Sequence, residues 1–197
     1  MPTTPDSPGP SPVTLGLPGL IREDLQHHWR EVSRPGFQAL LAYRLGHWAQ
    51  QRQPTALAQV ARVLSRCMTK VVRYRCGIEL DAAANLGRRL SVGHQGGIYI
   101  GPDVSLGDDC AILQGVRLGG VDAGTQGPGP SIGSRVSLGA RAIVDGPVRV
   151  GDDARIGPNA VIIEDVPDGA TALARPSRVR RASGTNDGGT EPGSLGG

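Results

Sequence analysis

The segments IYIGPDVSLGDDCAILQGVRLGG, residues 98–120, and SIGSRVSLGARAIVDGPVRVGDDARIGPNAVII, residues 131–163, decide how this chain folds. An aliphatic residue, mostly followed by glycine, recurs every six positions: Ile100, Leu106, Ile112 and Leu118, then Ile132, Leu138, Val144, Val150, Ile156 and Ile162. The same period appears upstream between Leu86 and Val92. A second small apolar residue stands two places before many of these, at Val104, Cys110, Val116, Val136, Ala142, Val148, Ala154 and Ala160. Each six-residue unit therefore points two side chains inward. This is the hexapeptide pattern of a parallel β-helix, whose coils stack to bury a continuous aliphatic column.

The period slips twice. Val92 to Ile100 is eight residues, and the added pair falls in Gly93-His94-Gln95-Gly96-Gly97. Leu118 to Ile132 is fourteen, which ejects a loop through residues 120–130. Insertions in a solenoid map to loops, and such loops form binding surfaces.

Composition agrees with a narrow prism. Aromatic residues make up 3% of the 197-residue chain, with 30 Gly and 16 Pro, so a core of Phe, Tyr and Trp is excluded. The net charge is +3, and Lys70 is the only lysine among 21 basic residues. The arginines spread along the whole chain instead of forming a patch, so nucleic acid is not an expected partner. Cys67, Cys76 and Cys110 are odd in number and lack metal-ligand spacing, which points away from a disulfide framework or zinc site and towards a reducing cytoplasm. No apolar run approaches the roughly 20 residues that span a bilayer, and the N-terminus lacks a secretory pattern, so neither membrane insertion nor secretion is expected.

Residues 1–19 and 182–197 are poor in large apolar groups and read as disordered tails. Residues 20–75 carry helical spacing. A first helix is expected near Ile21 to Val32, and a second after Pro35-Gly36, with Phe37, Leu40, Leu41, Leu45 and Trp48 on one face. A third follows Pro54, with Leu57, Val60, Ala61, Leu64, Met68 and Val71 on one face. These stripes are expected to pack on one another and cap the β-helix of residues 76–170. A short segment, 171–181, follows the last coil.

The chain resembles the serine O-acetyltransferases of the hexapeptide-repeat acyltransferases. The resemblance runs from about Ile21 to Val179. It rests on Gly36-Phe37-Gln38-Ala39-Leu40 continuing to Tyr43-Arg44 and His47-Trp48, on Gly77-Ile78-Glu79-Leu80, on Gly87-Arg88-Arg89-Leu90, on His94 before Gly96-Gly97, on Gln114-Gly115-Val116-Arg117-Leu118-Gly119-Gly120, and on Asp165-Val166-Pro167 with Pro176. It implies a left-handed parallel β-helix behind a short helical region, a homotrimer, and acetyl-CoA as co-substrate in the groove between neighbouring prisms, with no permanently bound cofactor or metal. The helical region is shorter than in members that pair trimers, which favours a plain trimer.

Moving an acetyl group from a thioester to a hydroxyl requires removal of the hydroxyl proton, and a histidine suits that task at neutral pH. His94 is the only histidine of the repeat region, lies in the first slip, and by resemblance is the catalytic base. His27, His28 and His47 fall in helices and read as structural or solvated. A carboxylate that holds the base in one tautomer helps it. The resemblance gives that part to Glu79, where the family usually has Asp; Asp81 is a weaker alternative. For CoA the candidates are Gly119, Gly139, Ala140 and Gly157, with Arg175 and Arg178 near its phosphates. Acceptor-site candidates are Asp24, Gly93 and Gly120.

The chain departs from the family where serine is usually held. An Asp before the catalytic His and an Arg-His pair in the ejected loop are replaced by Gly93 and Pro128-Gly129. A free amino acid carries both charges that those groups meet. Acetyl transfer to serine is the expected activity; a different hydroxyl acceptor (a sugar, a modified amino acid or a specialised metabolite) and a non-catalytic scaffold are the alternatives. Members that dock into the cysteine-forming sulfhydrylase end in Ile, whereas this chain ends Gly-Ser-Leu-Gly-Gly, so that complex is not expected in its usual form.

Overall fold

The computed structural model describes residues 12–28, 33–53, 55–93, 96–120 and 127–175. Three helices, α1 (Pro12–His27), α2 (Pro35–Gln50) and α3 (Ala56–Cys76), lead into a solenoid of short strands. Helix α1 begins earlier than its apolar spacing suggests, so residues 12–19 are helical where the composition read as tail. It is two pieces joined at Gly16, whose φ is 64°, and Pro18 lies just beyond that kink, where its fixed φ suits a restarting helix. The expected tails at 1–11 and 182–197, and the expected end of the first helix at 29–32, lie outside the described residues. Helix α3 starts at Thr55, whose hydroxyl accepts the Ala58 N–H, and stops at Gly77, which takes the left-handed conformation that ends many helices.

Beyond Gly77 the strands stack into three parallel sheets, the faces of a triangular prism. Face one carries Ile78–Leu80, Ile98–Ile100, Arg117–Leu118, Ile143–Val144 and Val161–Ile162. Face two carries Asn85–Leu86, Ser105–Leu106, Ser131–Ile132 and Arg149–Val150. Face three carries Ser91–Val92, Ala111–Ile112, Ser137–Leu138, Arg155–Ile156 and Thr171–Ala172. The register locates both slips. Paired residues are twenty apart at Ile78 with Ile98 and Ser91 with Ala111, but eighteen at Tyr99 with Arg117. They are twenty-six apart at Arg117 with Ile143 and Ser105 with Ser131, then eighteen at Ile143 with Val161. The surplus residues sit in the turn 93–97 and the loop 119–130, and every face keeps its alignment.

The aliphatic residues of the six-residue period form one buried column with the smaller residues two places before them. Coil stacking is close along the edge between faces two and three. A Cβ on Gly107 would lie 2.6 Å from the carbonyl carbon of Gly133, so only glycine permits that approach. Two places on, Arg89, Asp109, Arg135 and Asp153 all adopt positive φ between 51° and 59°. Their charges alternate down the edge: Arg89 Nε donates to Asp109 Oδ1 at 2.6 Å and Arg135 Nε to Asp153 Oδ1 at 2.7 Å. The Arg89 guanidinium holds the Asp109 carboxyl below the usual carboxylate range.

Helix α2 closes the top of the prism. The Tyr43 hydroxyl donates to the Ala84 carbonyl at 2.8 Å and accepts the Leu86 N–H at 3.0 Å. Arg44 donates to the Leu86 carbonyl at 2.9 Å and to Asp24 of α1 at 2.9 Å. A Cβ on Gly36 would lie 2.3 Å from the Val92 carbonyl oxygen, so the glycine lets α2 start directly on face three.

Arg44 and Asp24 form a buried pair, so Asp24→Ala leaves a buried guanidinium without its counter-charge. The unfolding free energy measured by urea denaturation is expected to fall by about 3–5 kcal/mol. Burial pushes the Cys110 thiol up to about 11, while Cys67 is exposed. Iodoacetamide at about pH 8 is therefore expected to modify Cys67 in the native protein and Cys110 only after denaturation, as read by mass spectrometry.

Candidate active site

His94 and Gln95 lie outside the described residues, but both ends of their turn are fixed. The Gly93 N–H donates to the Ile112 carbonyl at 2.9 Å, the Gly96 carbonyl accepts the Gly115 N–H at 2.8 Å, and the Ile98 N–H donates to the Gly77 carbonyl at 3.0 Å. Gly93, Gly96 and Gly97 thus lie on the edge between faces three and one, and Gly97 leads directly into the strand of Tyr99. Glu79 pairs with Tyr99 across face one, on the strand that begins one residue after Gly77. Glu79 Oε1 also lies 3.3 Å from Arg73 Nη1 of the last turn of α3. That pair is solvent-exposed, with side chains 59% and 37% accessible, and is easily re-partnered.

The outer side of face one continues from Glu79 through Tyr99 to Arg117, one strand at a time. The Arg117 guanidinium carbon sits 5.6 Å from the centre of the Tyr99 ring. Arg73, Glu79, Gly97, Tyr99 and Arg117 bound a recess of about 220 Å³. Arg117 Nε, and Gln114 Oε1 three residues before it, are shut off from solvent and have no hydrogen-bond partner among the described residues.

A second cavity, of about 400 Å³, lies on the opposite edge of face one, beneath the ejected loop. Gly119 and Gly120 line it together with Asp81, Asp103, Asp145 and Gly129. Gly119 has φ of 92°, a backbone state that favours glycine.

The residues expected to hold CoA are therefore divided. Gly119 and Gly120 lie on the edge between faces one and two. Gly139, Ala140 and Gly157 lie on the other edge, in the corners stacked below the turn 93–97; the Arg141 N–H donates to the Gln114 carbonyl and the Asn159 N–H to the Ala140 carbonyl down that edge. Gly139 also has a stacking reason to be glycine, since a Cβ there would lie 2.7 Å from the Gly157 backbone, whereas one on Gly157 would meet only the end of the Leu173 side chain within 3 Å. Arg175 is exposed just after the last coil, and Arg178 lies outside the described residues. Asp24, an acceptor candidate, is 1% exposed and faces Arg44, so its carboxylate is part of the helix-to-solenoid joint. His28 Nδ1 is 2.8 Å from the Asp24 carbonyl and His47 Nδ1 2.9 Å from the Ala82 carbonyl, structural positions as expected. Among the described residues no group of three His, Cys, Asp or Glu side chains could hold a metal ion, and no helix is long and apolar enough to cross a membrane.

Residues 129–164 match the family model described as bacterial transferase hexapeptide (six repeats). A serine acetyltransferase of Helicobacter pylori is 40% identical over 170 residues, covering 85% of this chain and 95% of that protein. The chain belongs to the serine acetyltransferase family. Solved serine acetyltransferases share its shape: the soybean enzyme complexed with serine has a TM-score of 0.68 at 26% identity, covering 82% of this chain and 68% of that one. A serine acetyltransferase complexed with CoA has a TM-score of 0.64 at 26% identity, with the same two coverages. Against that family background, the sequence pattern brought out His94, Glu79 and the glycines but passed over Tyr99, Arg117, Arg73 and Gln114. A signal was present: the outward positions of face one read Glu79, Tyr99 and Arg117 in the upper coils and Ile143 and Val161 in the lower ones.

Proposed function

We propose that this member of the serine acetyltransferase family transfers the acetyl group of acetyl-CoA to the hydroxyl of L-serine, giving O-acetyl-L-serine and CoA for cysteine biosynthesis. The neutral imidazole of His94 takes the proton from the serine hydroxyl as its oxygen attacks the thioester carbonyl. The tetrahedral intermediate then collapses, the C–S bond breaks, and the imidazolium returns the proton to the leaving CoA sulfur. Glu79 accepts from the other ring nitrogen with the carboxylate oxygen that Arg73 does not hold, and so fixes the tautomer. The observation that supports this reading is the first slip in register, whose described ends Gly93 and Gly96 flank His94 and lead into the strand that pairs with that of Glu79.

A homotrimer supplies the remainder of the site. The glycines of the two edges flank opposite sides of face one, and the cavity under the loop of one subunit completes the corner of Gly139, Ala140 and Gly157 on the next. Acetyl-CoA lies between the two, with Arg175 and Arg178 towards its phosphates, and the enzyme works in the cytoplasm without a resident cofactor. The second reading, transfer to a different hydroxyl acceptor, is favoured by the acidic lining of the loop cavity, Asp81, Asp103 and Asp145, where the loop offers Gly127, Pro128 and Gly129.

Release of CoA thiol from acetyl-CoA, followed with and without L-serine, tests the proposal. Serine-dependent release is expected for the wild type, with a loss of about 100- to 10,000-fold in His94→Ala and a smaller one in Glu79→Gln. Full turnover by His94→Ala would overturn the mechanism. Acetyl-CoA binding without serine dependence would move the acceptor to another hydroxyl compound.

A further inference from the structure

We propose that Arg117 binds the carboxylate of the amino-acid acceptor and so sets the enzyme's preference for a free amino acid. The inference rests on the acetyl-transfer reading above. Serine carries its hydroxyl and its carboxylate on adjacent carbons, so a cation that holds the carboxylate must stand a few ångström from the base that deprotonates the hydroxyl. The ejected loop cannot provide it from its own sequence: residues 120–130, GVDAGTQGPGP, contain no Arg, Lys or His.

Two cations on this chain border the recess beside the 93–97 turn, Arg73 and Arg117. Arg73 faces Glu79 at 3.3 Å. Arg117 forms no ion pair with any described residue, and its Nε is buried without an acceptor. A guanidinium that borders a recess without a counter-charge is matched by a carboxylate that accepts from its planar fork in charge-assisted bonds. Tyr99 lies against the guanidinium and holds its plane in place before any ligand arrives. Gly97, which closes the turn, is two residues before Tyr99 and lines the same recess.

Steady-state kinetics of the wild type, Arg117→Gln and Arg117→Lys on L-serine and on L-serinamide, which lacks the carboxylate, test the assignment. Arg117→Gln is expected to raise KM for L-serine about ten- to a hundredfold. KM for acetyl-CoA and turnover of L-serinamide are expected to stay within about twofold of wild type, and Arg117→Lys, which keeps the charge but loses the planar fork, to fall between. An unchanged serine KM in both variants, or equal damage to serine and serinamide, would overturn the inference while leaving acetyl transfer standing. A wild-type enzyme that releases no CoA with serine would remove the acetyl-transfer reading and this inference together.

Discussion

The distance between successive coils governs this molecule. Parallel strands two or three residues long hydrogen-bond at roughly 4.8 Å spacing, and the chain must turn three corners per coil without lifting one coil off the next. At the tightest corners a Cβ would collide with the backbone below, as at Gly107 over Gly133, so glycine follows the inward aliphatic residue there. The aliphatic column, the left-handed turn residues and the alternating Arg–Asp edge are consequences of holding that spacing. Large aromatic rings have no place inside, and those among the described residues lie in the helices or, as Tyr99, on an outer face.

Because register is kept on every face, extra residues can leave only at corners. The two slips use different corners of the prism, on either side of face one. That separation divides the glycines expected to meet CoA between two edges of the chain, which the proposed trimer would bring together across subunits. Face one presents Glu79, Tyr99 and Arg117 outward between those edges.

Much of this was legible in the sequence because it depends on local rules. The six-residue period gives the inward positions directly, and the count of residues between aliphatic markers gives the position and size of each insertion. The role of Gly36 could be suspected from its place before Phe37, but its cause, the Val92 carbonyl, lies 56 residues away in sequence. Asp24 shows the limit more sharply. The resemblance to the family invites an acceptor-binding role for it, and only the fold brings it against Arg44 in a buried pair. Helix α1 began early because a Gly-Pro pattern that looks like a breaker instead joins two helical pieces. Arg117 was hidden for another reason: the hexapeptide rule speaks of inward positions and treats the outward ones as solvent.

Helix α2 binds the first coil through carbonyls and an N–H that a preceding coil would otherwise use, with Tyr43 and Arg44 standing in for a missing strand. This gives the solenoid a direction. The N-terminal end is a finished boundary, matched atom by atom to the helix above it. A coil inserted there would have to reproduce those partners before the joint could close, whereas a coil duplicated lower down would only need to repeat the six-residue rule. Variation in the length of such prisms is therefore expected to accumulate away from the helices, leaving the turn that carries His94, in the first coil, at a constant depth below the cap.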